Sequence, residues 1–254
     1  MIDIHCHILP GIDDGATDTS ESVEMARQAV SQGITHIVAT PHHKNGSYDN
    51  ALHDVLTKVT ELNSDLKREG IDLEILPGQE TRLYGEMVDD LDIDLLTVNN
   101  SGVYLLVEFP SSHLPRYANK LLFDLQLKGI VPIIVHPERN REIMENPSKL
   151  YQLIKEGALS QVTASSVTGS MGKKIKKFSL DLLSHNLAHF IASDSHNTTT
   201  RPFELRQAYE TVEQELGTTM RYMLQENPED MIKGRMIDKE MPERIKKKKV
   251  LGLF

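Results

Sequence analysis

Seven short apolar runs punctuate the chain, each ending on polar residues before an amphipathic stretch begins. They are 2–7 (IDIHCH), 34–42 (ITHIVATPH), 73–80 (LEILPGQE), 103–109 (VYLLVEF), 131–138 (VPIIVHPE), 159–166 (LSQVTASS) and 187–196 (LAHFIASDSH). Runs that are apolar at nearly every position suit strands buried on both faces, as in a parallel sheet covered by helices. Between them the apolar period predicts helices over 21–32, 50–69, 116–128, 147–156, 174–185 and 203–216. Gly33, Gly70, Gly129, Gly157 and Gly217 stand where a left-handed residue ends a helix. Alternating strands and helices at a spacing of roughly thirty residues fit βα units closing into a barrel. We expect one domain over 1–235 and a basic C-terminal tail over 236–254.

The chain has 254 residues, 39% hydrophobic, enough for one large core. A formal net charge of −9 argues against nucleic acid as a ligand. The single cysteine excludes an internal disulfide, and no apolar run approaches the roughly 18 residues of a membrane span. The first residues read as a strand rather than a signal peptide, so a cytoplasmic protein is expected. The tail RIKKKKVLGLF (244–254) reverses the overall charge, which suits either a solvated end or contact with an anionic surface or acidic partner.

Six of the seven runs finish on metal-ligand types: His5 and His7, His42, Glu80, Glu108, His136, and Asp194 with His196. In a parallel barrel the C-terminal strand ends share one mouth, so these residues would converge there. Carboxylates and imidazoles crowded over an apolar interior are costly to desolvate, and bound cations are the simplest compensation. His36, His53, His113, His185 and His189 are assigned structural roles, and His43 is a candidate support for His42. In the opening stretch strand alternation sets His5 and His7 on one face and Cys6 on the other. A cysteine-dependent phosphatase needs an arginine in the loop after its nucleophile, and none follows Cys6 through Asp14. Arg139 and Arg201 each lie shortly after a ligand-bearing run, where guanidinium forks suit phosphate oxygens; Arg141 and Arg206 are nearby substitutes.

HCH at 5–7, TPHH at 40–43, GQE at 78–80, VEF at 107–109, HPERN at 136–140 and SDSH at 193–196, in that order, resemble the PHP (polymerase and histidinol phosphatase) superfamily. More narrowly they resemble the metal-dependent protein-tyrosine phosphatases of bacterial capsular and exopolysaccharide gene clusters, over residues 1 to 209. The resemblance implies a distorted (β/α)7 TIM-like barrel and three divalent or transition metal ions, manganese above all, with iron, cobalt or zinc as alternatives. It implies one ion on His5, His7, Glu80 and Asp194, a second on Glu80, Glu108 and His136, and a third on Asp14, His42 and His196, with Asp13 the neighbour most easily confused with Asp14. Many PHP phosphoesterases carry histidine where Glu108 stands, a departure that resembles the tyrosine phosphatase branch. It also points to Arg139 and Arg201 as substrate-binding groups. The implied substrates are phosphotyrosine proteins, among them a bacterial tyrosine kinase, with homo-oligomerisation left open.

Closely spaced divalent ions lower the pKa of coordinated water and neutralise phosphoryl oxygens, and a phenolate leaving group of pKa about 10 needs little protonation. The runner-up enzyme is a PHP phosphatase for a small metabolite such as a histidinol phosphate. A non-catalytic, metal-stabilised kinase-binding module is the alternative from another class. An amidohydrolase ranks low, because such sites typically add a bridging lysine and a later-strand histidine, and QVTASS has no histidine.

Overall fold

The structure, a computed structural model, describes residues 1–91 and 93–246. Its strands are β1 (Ile2–Cys6), β2 (His36–Ala39), β3 (His42–His43), β4 (Glu74–Pro77), β5 (Glu80–Arg82), β6 (Tyr104–Glu108), β7 (Val131–Val135), β8 (Leu159–Thr163) and β9 (Phe190–Ala192). Every apolar run supplies at least one strand, and two are interrupted. The run 34–42 breaks at Thr40 and Pro41, since proline has no N–H for the ladder. The run 73–80 breaks at Gly78, where a Cβ would fall 2.6 Å from Val38 Cγ1. The last two runs are shorter as strands than the apolar pattern predicts: β8 stops at Thr163 and β9 covers three residues.

All pairings are parallel, in the orders β1-β2-β4 and β3-β5-β6-β7-β8-β9. Because β3 follows β2 and β5 follows β4 after short breaks, the second sheet continues from the first. At the other side, Cys6 pairs with Ser195 in an isolated parallel bridge. Asp194 N donates to His5 O and His7 N to Ser195 O, both at 2.9 Å. The fold is thus α/β with parallel sheets.

The helices are α1 (Thr19–Ser31), α2 (Leu52–Arg68), α3 (Ala118–Leu127), α4 (Arg141–Glu145), α5 (Ser148–Lys155), α6 (Ala164–Thr168), α7 (Lys173–Ser184), α8 (Leu205–Leu216) and α9 (Thr218–Ile232). The periodicity misses α4, α6 and α9. The first two are single turns, and α9 carries Pro228 inside it. Strand residues alternate between two cores, as period-two geometry requires. Val38, Leu106 and Ile133 face an inner cluster, while their neighbours Ile37, Leu105 and Ile134 face the helices. Met231 of α9 and Ile237 join the inner cluster beside Ile2 and Tyr104, at the end where the strands begin. Tyr104 Oη donates to Arg235 O at 2.6 Å.

The chain then runs back along the body. Asn186 Nδ2 donates to Met241 O at 3.0 Å, Glu243 N donates to His185 O at 2.8 Å, and the Arg244 guanidinium lies 4.2 Å from the centre of the Tyr151 ring. Residues 247–254, the remainder of the expected basic tail, lie outside the described residues.

Candidate active site

Local backbone irregularities aim the chemistry-bearing side chains. The pairing register of β1 with β2 shifts between Asp3 and Cys6. Across that shift the inward positions pass from Ile2 and Ile4, in the inner core, to His5 and His7, while Cys6 joins the outer core. Gly15 closes the loop after β1 so tightly that a Cβ there would lie 2.0 Å from His7 O. His136 and Asp194 hold left-handed conformations, with φ of 37° and 53°, at the ends of their strands. Such backbone costs on the order of 1–3 kcal/mol per residue and persists where surrounding structure fixes it.

Four side chains meet first. His5 Nε2 lies 3.3 Å from His7 Nε2, 3.4 Å from Glu80 Oε2 and 3.5 Å from Asp194 Oδ1; His7 Nε2 lies 3.3 Å and 3.5 Å from the same two oxygens. A tetrahedral ion with bonds of ~2.1 Å needs ligand atoms about 3.4 Å apart. His5, His7 and Glu80 therefore offer three converging ligand atoms at such a spacing as they stand, with Asp194 Oδ1 within 3.5 Å of both rings.

A second group shares His7. Asp14 Oδ1 is 3.4 Å from both His42 Nε2 and His196 Nε2, and His7, Asp14, His42 and His196 together offer converging ligand atoms. The second expected set, Glu80, Glu108 and His136, is brought together only partly. His136 Nε2 meets Glu80 Oε1 at 2.7 Å, whereas Glu108 Oε2 faces Arg82 at 3.0 Å and His42 Nδ1 at 3.9 Å. The converging donors here are His42, Glu80 and Glu108, with His136 across the same cavity of about 290 Å³. Glu80 Oε2, Glu108 Oε2, His42 Nδ1 and His196 Nε2 are buried and make close charge contacts, among themselves and to Arg82 and Asp14, without well-formed hydrogen bonds among the described residues. Buried polar atoms are nearly always satisfied, so atoms left this way within one cluster suit cation ligands.

The charges support the same fit. Burial would raise the Glu80 carboxyl, but His5, His136 and His42 hold it well below its ordinary range. Burial likewise opposes Asp194, which Arg139, His7, His5 and Arg201 hold well below its ordinary range. Glu108 is pushed up to about 7 by burial and then by the Glu80 charge, against Arg82. His136 falls to about 4 through burial and Arg139, and His196 to about 4 through burial and His7, so both rings are neutral and able to ligate at neutral pH. Arg139 and Arg201 reach Asp194 Oδ2 at 2.6 Å and 3.0 Å, and both line the small cavity. Arg141 instead pairs with Glu145 on the surface, and Arg206 binds Gln32 O.

Over residues 1–233 the sequence matches a family described as capsular polysaccharide synthesis, CpsB/CapC. The chain belongs to the CpsB/CapC family. It is 52% identical over 254 residues, all of both chains, to tyrosine-protein phosphatase YwqE of Bacillus subtilis strain 168. It is 41% identical over 262 residues to CapC of Staphylococcus aureus, again covering both chains fully. A solved structure also matches with a TM-score of 0.95 at 52% identity, covering 97% of this chain and 100% of the other. It comes from work describing YwqE and CpsB of Streptococcus pneumoniae as unique metal-dependent tyrosine phosphatases.

In this CpsB/CapC chain several supporting residues escape a reading of the sequence. Asp13, adjacent to the cluster member Asp14, instead orients the His7 ring: its Oδ2 accepts from His7 Nδ1 at 2.7 Å and from His42 N at 3.1 Å, and its Oδ1 from Gly15 N at 2.9 Å. Gln161 Oε1 holds His5 Nδ1 at 3.0 Å. Arg82 follows Glu80 by two residues on β5, and that strand period was the available signal for it. His43, expected to support His42, turns the other way, toward Asp49 at 3.1 Å and Asp94 at 3.5 Å. His189 is buried with Nδ1 accepting from Ser160 N at 3.2 Å, away from the cluster. Cys6 is fully buried, its Sγ 3.5 Å from Ser195 O, and burial raises its thiol well above the ordinary range.

Proposed function

We infer that this CpsB/CapC chain is a metal-dependent protein-tyrosine phosphatase whose nucleophile is not a cysteine, and that it opposes a bacterial tyrosine kinase controlling capsular or exopolysaccharide synthesis. The observation that carries the reading is the convergence of His5, His7 and Glu80, with Asp194 beside both rings and Arg139 and Arg201 on the outer oxygen of Asp194. We further propose that residues 1–235 form one distorted (β/α)7 barrel. The parallel pairing throughout both sheets and the Cys6–Ser195 bridge support it. Three ions, with manganese the first candidate, would be held by His5, His7, Asp14, His42, Glu80, Glu108, His136, Asp194 and His196. A cytoplasmic location belongs to the same proposal, because a tyrosine kinase makes its product from intracellular nucleotide.

Bound divalent ions would neutralise phosphoryl oxygens and ease the ionisation of coordinated water. The chain's own residues do the rest. Arg139 and Arg201 approach the cavity from two loops and present N–H groups to phosphoryl oxygens not taken by cations. Phe109, Val135 and Pro137 wall that cavity and suit the flat apolar face of a tyrosine ring. Asp13 and Gln161 fix the rings of His7 and His5 so that Nε2 of each faces the cluster. An aryl oxygen departs without a strong general acid, so no side chain has to supply one.

The test is metal analysis of purified protein together with phosphotyrosine-peptide hydrolysis before and after chelation. We expect bound transition metal, loss of activity in chelator and recovery with Mn²⁺. Undiminished hydrolysis by demonstrably metal-free protein would refute the reading. Faster turnover of histidinol phosphate than of any phosphotyrosine peptide would favour a small-metabolite phosphatase.

A further inference from the structure

A groove of about 1040 Å³ lies behind the loop that walls the candidate active site. Residues 109–117 form the partition. Phe109 and Ser111 line the small cavity, whereas Pro110, Leu114, Arg116 and Tyr117 line the groove. The segment that carries Arg139 fixes this partition from one side. Asn140 Nδ2 donates to Pro110 O at 2.8 Å and to His113 O at 3.2 Å, Arg141 N donates to Ser111 O at 2.8 Å, and Leu114 N donates to Glu142 Oε2 at 2.6 Å. Cavity and groove are therefore two sides of one hydrogen-bonded wall.

The groove's charge runs against that of the chain, whose formal net is −9. Arg116 and Arg244 line it, are exposed, and form no ion pair among the described residues. Lys149, also in the groove, is committed to Glu142. The Tyr151 ring supports the Arg244 guanidinium from one face, leaving its N–H edge for a partner. Tyr117, 45% exposed, adds an apolar surface. A groove lined in part by Pro110, Leu114, Pro115 and Tyr117, with two guanidiniums that form no ion pair among the described residues, suits a polypeptide carrying carboxylates.

We propose that this groove binds the polypeptide flanking the phosphotyrosine of a protein substrate, with Arg116 and Arg244 selecting flanks rich in Asp and Glu. The proposal rests on the phosphatase reading above. A phosphotyrosine in the small cavity extends its backbone outward at the partition, and the groove is the basic surface on the other side of that loop. Arg116 and Arg244 are thus specificity-determining residues that do not touch the reacting phosphoryl group.

The test measures kcat/KM of the metal-loaded protein on three phosphotyrosine peptides of equal length, with acidic, neutral and lysine-rich flanks. Wild type should prefer acidic to neutral flanks by roughly three- to tenfold, the scale of two exposed charge pairs. The preference should fade as salt rises, since the screening length drops from ~10 Å at 0.1 M to ~3 Å at 1 M. In the double variant Arg116→Gln/Arg244→Gln the acidic-to-neutral ratio should fall to about one, and in Arg116→Glu/Arg244→Glu it should invert. Equal turnover of the three peptides by wild type, or a full acidic preference in the charge-reversed variant, overturns the groove proposal and leaves the phosphatase reading standing. Self-association that buries the groove, seen as a mass that falls to that of a monomer in the charge-reversed variant, overturns it as well. No turnover of any phosphotyrosine peptide overturns the phosphatase reading itself.

Discussion

Replacing Asp13 tests whether the imidazole it holds serves a metal. The Asp13 side chain is 1% exposed and makes three hydrogen bonds: Oδ2 accepts from His7 Nδ1 at 2.7 Å and from His42 N at 3.1 Å, and Oδ1 accepts from Gly15 N at 2.9 Å. A proton on His7 Nδ1 leaves the Nε2 lone pair facing Glu80 and Asp194. Asp13→Ala removes all three hydrogen bonds and frees that tautomer. Loss of such a support typically weakens metal binding 10–100-fold, about 1.4–2.8 kcal/mol.

Asp13→Asn separates orientation from charge, because the amide has one oxygen for two jobs. With its oxygen toward His7 and His42 N, its NH2 meets Gly15 N–H, which leaves one backbone donor unsatisfied at about 1–3 kcal/mol. With its oxygen toward Gly15, its NH2 faces His7 Nδ1 and drives the ring proton to Nε2, which disables the ligand as well. The first arrangement loses less. We therefore expect Asp13→Asn to bind Mn²⁺ no more than about tenfold more weakly than wild type, while Asp13→Ala falls further. Calorimetric titration of chelator-stripped protein gives the affinities, and urea unfolding gives the stability cost. Wild-type metal affinity in folded Asp13→Ala would refute the role assigned to His7. An Asn variant as weak as the Ala variant would show that charge, not orientation, is what Asp13 supplies.

Arg139→Ala or Arg201→Ala should leave metal content near wild type and lower kcat/KM by roughly 10²-fold, with lysine rescuing only partly; unchanged kinetics in both would remove them from the site. Cys6→Ser should keep metal and most activity, since its hydroxyl can still donate to Ser195 O, and inactivation with metal intact would revive a thiol mechanism. Burial, helped by Lys239, holds His189 at about 3, below its ordinary 6.5. The unfolded chain therefore takes the proton first, and stability present above about 6.5 is lost toward pH 3 at ~1.4 kcal/mol per pH unit. In metal-free protein, urea midpoints for His189→Gln should fall less steeply between pH 6 and pH 4 than those of wild type, and parallel slopes would contradict the assignment.

The apolar runs carried most of the strand and helix order because a parallel sheet covered by helices leaves little freedom in where its strands lie. What they could not carry were elements whose stability is tertiary. Helix α9 has a proline inside and a weak apolar period, yet Met231 and the following Ile237 pack into the inner core beneath Ile2 and Tyr104. Residues 241–244 are held by one backbone hydrogen bond, one from the Asn186 side chain and one arginine on Tyr151, features with no periodic signature. The two interrupted strands were partly visible, since Pro41 and Gly78 mark both breaks.

The candidate site was legible as a set of ligand types and less so as a geometry. Convergence follows from parallel strands sharing one mouth, so the ligand-type residues at the run ends could be placed together, whereas the grouping of His5, His7, Glu80 and Asp194 is implied only by the family resemblance. Their aim depends on features local sequence does not announce: the register shift in β1, and left-handed backbone at His136 and Asp194. That backbone explains the partial second set. His136 turns its ring to Glu80 Oε1, and Glu108 is drawn by Arg82 toward the other side of the cavity. A cation between Glu80, Glu108 and His136 would compete with Arg82 for Glu108, a carboxylate whose surroundings already push it up to about 7. If three ions bind, the one at Glu108 should accordingly be held the most weakly, and one on His5, His7 and Glu80, whose mutual separations of 3.3, 3.4 and 3.3 Å match a tetrahedral edge, more tightly.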